Sequence, residues 1–201
     1  MNNEIQSLVR ISCAVCLRDE SKLEKEIQKA LNSGVEPTTI REAILQTYLF
    51  AGYASTINAF IVFNRLVQNN ATFLQESNGS IEQWRTRGEE LCRKIYGSQF
   101  ERMVENMNKL HPDLADWMIA EGYGKVLSRP FLTPLVRELL IVAMTALLNV
   151  ERQFHSHVRG ALHVGATPEQ LQEVFHEAEG FMDRSTVPAL QKILNQVSSR
   201  V

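Results

Sequence analysis

The chain has no apolar run that approaches the roughly 18 residues needed to cross a bilayer. The nearest, Leu139 to Val150, is interrupted by Thr145 and Asn149. Contact with a membrane is therefore not expected. Cysteine is scarce, with Cys13, Cys16 and Cys92 alone. The N-terminal MNNEIQSLVR carries an acid and lacks the basic-then-apolar design of a secretory signal. A disulfide-built secreted domain is thus not expected, and a reducing cytoplasmic location is. In that location the triplets beginning at Asn70 and Asn78 have no glycosylation meaning. An excess of one charge is also missing. The chain has 21 basic and 23 acidic residues, a net charge of −2, and scattered cations, so nucleic acid is not an expected partner. No segment shows strict apolar–polar alternation and none has the make-up of a βαβ unit, so the expected fold class is all-α.

What is present is helical patterning. With 201 residues, 44% of them hydrophobic, the chain can bury one good core or two small ones. Glu4 to Leu31 reads as helix and Asn32-Ser33-Gly34 ends it. Pro37 starts a second helix running to about Val67, apolar nearly all round from Ala43 to Phe63 and so expected to be buried on several sides. Gly52 marks a close crossing or a break within it. Residues 67–83 read as a polar linker. Short helices are expected over Trp84–Ile95, Gln99–Lys109 and Asp113–Val126, the last weakened by Gly122 and Gly124. Residues 183–201 form a tail with a weak amphipathic stretch, Leu190 to Val197. Trp84, Trp117 and the phenylalanines at 50, 60 and 63 read as core.

The stretch from Leu132 to Met182 is the most informative. Thr133 caps a helix with Pro134 at its first position, where the missing N–H costs nothing. Apart from Gly160 nothing breaks it before Gly165, which fits a left-handed stop. Thr167, Pro168 and Gln170 then form a capping box that starts the next helix. Positions three and four apart share a helix face. Ala146, Val150, Gln153, His157, Gly160, Ala161 and Val164 fall on one such face, which is small and apolar except for one amide and one imidazole. His157 is the best candidate for a chemical residue, with Gln153 one turn earlier to orient it by a hydrogen bond. A satisfied core histidine is the alternative. His155 lies on another face and reads as structural or exposed.

This arrangement of long helix, glycine turn and proline-started helix occurs twice, 131 positions apart. The offset relates Gly34 to Gly165, Pro37 to Pro168, Leu8 to Leu139, Leu31 to Leu162, Ile40 to Leu171 and Glu42 to Glu173. It maps His157 onto Glu26 and Gln153 onto Lys22, so the first repeat, residues 1–66, lacks the candidate site.

The segments RGEELCRKIYG, WMIAEGYGKVLSRPFL and RELLIVAMTALLNVERQFHSHVRGALHVGATPEQLQEV resemble the carboxymuconolactone decarboxylase family, which is similar in fold to the alkylhydroperoxidase D-like proteins. The resemblance runs from about Arg85 to Met182, within the second unit at 84–182. His157 to Ala161 and Gly165 to Glu169 carry most of it. The first repeat's GVEPTTIREAILQTYLFAGYAS looks like the family's proline-started helix. The resemblance implies an all-helical, oligomeric subunit. For the decarboxylase branch it implies cofactor-free loss of carbon dioxide from a carboxylated lactone, a small-molecule substrate. Single-repeat members of that branch are hexameric, so a chain with two repeats implies a homo-oligomer, trimer before dimer. The family motif has Glu four residues before the His and Arg two after it. Here those positions hold Gln153 and Arg159, with Arg129 in the Ser-Arg-Pro segment as a second candidate for holding a carboxylate. Arg159 lies roughly 200° round the helix from His157.

Two other patterns carry alternative chemistry. In the peroxidase branch a cysteine pair precedes the motif histidine, and a thiol-dependent peroxidase is the second functional reading. Val150 and Gln153 occupy those slots here, and Cys13-Ala14-Val15-Cys16 sits six residues too early in the first repeat. These thiols are expected to be buried and inert. Glu173-Val174-Phe175-His176 fits half of a carboxylate-bridged metal site, but the offset puts Leu45 where a second histidine would stand, so no metal is expected. A non-catalytic oligomeric helical protein is the third reading.

Overall fold

The computed structural model describes residues 1–67 and 79–199. Among these residues the chain is helical and contains no strand. Most of the expected 67–83 linker, with Asn70 and Asn78, lies outside the described residues.

The first repeat contains α1 (Asn3–Leu17), α2 (Glu20–Asn32), α3 (Pro37–Gln46) and α4 (Tyr48–Val67). The single helix expected over Glu4–Leu31 is broken at Arg18, whose φ of 60° is left-handed and whose N–H bonds the Val15 carbonyl. Asp19 then caps α2 by accepting from the Lys22 N–H. The helix expected from Pro37 is split after Gln46 and kinked at Gly52, where φ is 81°. Its expected burial on several sides is only half realised. Ala59, Val62 and Phe63 are buried, but Tyr53, Ile57 and Ile61 are 65%, 56% and 61% exposed, because nothing among the described residues covers that face of α4.

Between the repeats, α5 (Ile81–Tyr96) starts earlier than expected because Ser80 and Gln83 form a capping box. A 3₁₀ turn, α6 (Phe100–Leu110) and α7 (Leu114–Trp117) follow. Met118–Leu127 is a π-helix. It lies against α5 backbone to backbone. A Cβ on Gly88 would be 2.0 Å from the Ile119 carbonyl oxygen, and one on Gly124 would be 1.8 Å from that of Trp84. Only glycine permits this approach. Trp117, expected in the core, is exposed at the end of α7, while Trp84 is half-buried.

The second repeat contains α8 (Pro134–Leu147), α9 (Glu151–His163), α10 (Pro168–Glu179) and α11 (Val187–Ser198). Thr133 and Thr167 cap α8 and α10 as expected. The expected unbroken helix from Pro134 to His163 is instead two, because Asn149 adopts φ 53°. Asparagine tolerates that conformation better than other side chains with a Cβ. The turn repeats the one at Arg18. The Asp19 N–H bonds the Ala14 carbonyl and the Val150 N–H bonds the Thr145 carbonyl, both 131 positions apart. The supposed tail contains a well-packed helix, with Leu190, Leu194 and Val197 buried.

The ten residues Arg137 to Ala146 of α8 are all buried, so α8 is the centre of the core. It packs on α1, α9 and α10. Arg137 is 1% exposed and bonds Glu42 and Gln46 on α3 at 3.2 and 3.1 Å. Burial lowers the proton affinity of its guanidinium, against the pull of Glu42. Removing one partner of a buried pair leaves an uncompensated charge, a loss of about 3–5 kcal/mol. Glu42→Ala is expected to lower the melting temperature by at least about 6 °C, at roughly 2–4 °C per kcal/mol for a chain of this size. A change of under 1 °C in calorimetry would show that the pair does not bind the repeats together.

Candidate functional site

The break at Asn149 gives His157 its setting. It turns α9 back along α8, and His157 meets the middle of the earlier helix. Its Nδ1 lies 2.9 Å from Oε2 of Glu138. Both groups are interior, Glu138 1% exposed and His157 9%. Donation from Nδ1 to the carboxylate would leave Nε2 as the nitrogen able to exchange a proton. The ring of Phe50, from the start of α4, stands edge-on to the imidazole at 6.1 Å. The second carboxylate oxygen of Glu138 is buried and has no hydrogen-bond partner among the described residues.

Gly160, one turn after His157, keeps this arrangement open. A Cβ there would be 2.8 Å from Glu138 Oε2 and 2.7 Å from Ile95 Cγ2. Behind the pair, the hydroxyls of Tyr96 and Tyr123 are 2.8 Å apart. Burial, together with the negative charge of Glu138, holds both phenols and the Cys92 thiol in their protonated forms.

The other expected site residues are dispersed. Gln153 is exposed and makes no hydrogen bond to His157. The break after α8 tilts the start of α9 away from the core, so Glu138 takes the orienting position expected for Gln153. For the same reason Val150 is 37% exposed rather than facing a cavity beside His157. Arg129 is occupied by Glu42, with Nε and Nη2 both on its carboxylate at 2.8–3.1 Å. Arg159 is exposed on a different face of α9 and lines a groove that includes Gly160 but not His157. His155 lines the same groove. His176 pairs with Glu179 at 3.0 Å. Among the described residues no group of three or more His, Cys, Asp or Glu is placed to hold a metal ion.

Glu138 is the candidate site residue the helix-face argument missed. It lies across a turn, beyond any i, i+4 reading. The available signal was its chemistry: Arg137-Glu138 is a charged dipeptide in a run from Leu135 to Leu147 that is apolar but for Thr145.

Comparison with known proteins places this geometry. Residues 112–185 match the model of the carboxymuconolactone decarboxylase family, a segment that contains Glu138 and His157. "Peroxisomal protein 2" of Schizosaccharomyces pombe is 29% identical over 166 residues, covering 80% of this chain and 77% of that protein. "4-Carboxymuconolactone decarboxylase" of Acinetobacter baylyi is 29% identical over 94 residues, 46% of this chain and 70% of that protein. "Peroxisomal protein 2" of Saccharomyces cerevisiae is 30% identical over 81 residues, 40% of this chain and 29% of that protein. Two of these relatives are named for the peroxisome, so they lend no support to the expected cytoplasmic location. Among the described residues no helix is long and apolar enough to cross a membrane.

The cysteines are free. Burial raises the Cys13 thiol well above its ordinary range and pushes Cys16 up to about 12. The thiolate is the nucleophile, so both are poor ones at neutral pH. In the native state neither should react with a thiol reagent at pH 8 until the protein unfolds. Rapid labelling of both would return the peroxidase reading to contention.

Proposed function

We propose that the chain, whose residues 112–185 match the model of the carboxymuconolactone decarboxylase family, is a cofactor-free enzyme of that kind acting on a lactone or a related small carboxylic acid, with the Glu138–His157 pair as its proton-transfer device. The observation that supports this is the buried imidazole bonded at Nδ1 by a buried carboxylate. In that setting Glu138 fixes the ring through Nδ1, and Nε2 donates or accepts the proton. Loss of carbon dioxide from a carboxylated lactone breaks a C–C bond and leaves its electron pair on the substrate. A proton from Nε2 takes up that pair, and solvent returns the proton to His157. Glu138 is a positioning residue in this scheme.

His157→Ala should lower the rate roughly 10²–10⁴-fold, the usual contribution of general acid–base catalysis. Glu138→Gln keeps the shape of the side chain and removes the charge. It should lower kcat with little change in KM, because an amide can donate as well as accept and no longer fixes which ring nitrogen carries the hydrogen. Wild-type turnover of carboxylated lactones by both variants would leave His157 as a core residue.

We also propose that the exposed stripe of Tyr53, Ile57 and Ile61 on α4 is covered by another copy of the chain. These residues are spaced by four and form one continuous apolar face. A trimer is expected before a dimer. Light scattering at micromolar concentration should give a mass above 22.8 kDa, and Ile57→Glu should reduce it. A wild-type monomer would refute the assembly.

A further inference from the structure

We propose that the groove between α5, α6 and α9 binds a small organic acid, with its carboxylate held between Arg102 and Arg159. The groove has a volume of about 340 Å³, at the small end of ligand sites. Its lining contains two arginines and two histidines but no acid, in a chain with more acids than bases. Arg102 comes from α6 and Arg159 from α9. Neither has a hydrogen-bond or ion-pair partner among the described residues. In contrast, Arg85 and Arg93 on the adjoining α5 are paired with Asp116 and with Glu89 and Glu101. A guanidinium fork matches a carboxylate in geometry, and two forks lining one groove without an internal anion favour an external one.

The remaining lining sets the chemical class. Met103, Met107 and Ile95 give a hydrocarbon body something to pack on, which inorganic phosphate cannot use. His163 is fixed at one end by its Nδ1, 2.6 Å from the Ile95 carbonyl, so Nε2 is the nitrogen left for a ligand. Tyr96 is tied by its hydroxyl to Tyr123 and to Ser156. Gly160 forms the wall against Glu138, whose Oε2 would be 2.8 Å from a Cβ at that position. An acid anchored on the two arginines therefore lies on the other side of Gly160 from the proton-transfer pair. Binding does not depend on that pair being catalytic, but the use of the groove as its substrate site does.

The test uses the full chain labelled with ¹⁵N, titrated at constant ionic strength with adipate and, separately, with inorganic phosphate. Adipate should move the arginine Nε–H signals of Arg102 and Arg159 and the ring signals of His163, saturating with a dissociation constant on the order of 1 mM. Arg102→Gln and Arg159→Gln should each weaken binding roughly tenfold, the loss of one charge-assisted interaction. Arg184→Gln, at an arginine lining a different cavity, should not. His157→Asn should leave adipate binding intact, and so separates this result from failure of the proton-transfer reading. Phosphate binding as tight as adipate would overturn the organic-acid class. Absence of shifts at the groove, or equal weakening by Arg184→Gln, would overturn the site.

Discussion

A charge placed inside a protein has to be met by a partner, and α8 places two there side by side. Arg137 and Glu138 lie in a helix buried on every face, at 1% exposure each. The cost of desolvating either charge is several kcal/mol, recovered only through close and well-directed contacts. Arg137 meets Glu42 and Gln46 on α3, and Glu138 meets His157 on α9. One charge thus fastens the second repeat to the first, and its neighbour fixes the imidazole. Successive helix residues point roughly 100° apart, which sends the two requirements in different directions from one place in the sequence.

The site depends equally on where the chain turns. Had α8 and α9 been one helix, Glu138 and His157 would be 19 residues apart along a rod of roughly 28 Å. The left-handed residue Asn149 folds the rod back and brings them to 2.9 Å. Gly160 then allows α9 to approach without a side chain entering the contact. Neither feature carries chemistry, yet the pair cannot form without both.

The helical class, the caps at Thr133 and Thr167 and the stops at Gly34 and Gly165 were legible in the sequence because each is local or periodic. The breaks at Arg18 and Asn149 were not. Arginine and asparagine are ordinary in helices, and it is the packing of α2 and α9 back on the core that selects their rare conformation. The partner of His157 was misassigned for the same reason. Gln153 is the neighbour on an ideal continuous helix, and Glu138 is the neighbour only after the turn. Arg129 and Arg159 were each assigned to a carboxylate. Arg129 has one inside the protein, and Arg159 faces a separate groove.

The two repeats make an internal comparison of what folding requires. At the 131-residue offset they keep the same turn hydrogen bonds, the same helix limits for α2 and α9, and a glycine of positive φ at the same place. Their side chains at the site do not correspond. Glu138 is matched by Ser7, and His157 by Glu26, which pairs with Lys29 at 2.7 Å. The same backbone is therefore built without the buried carboxylate–imidazole pair. A fold that needed the pair for stability would have it twice. Present once, it carries the desolvation cost of a buried acid and leaves one oxygen of Glu138 without a partner. An interaction that the fold can do without, held at that cost, is what supports the proposal that Nε2 of His157 acts on another molecule.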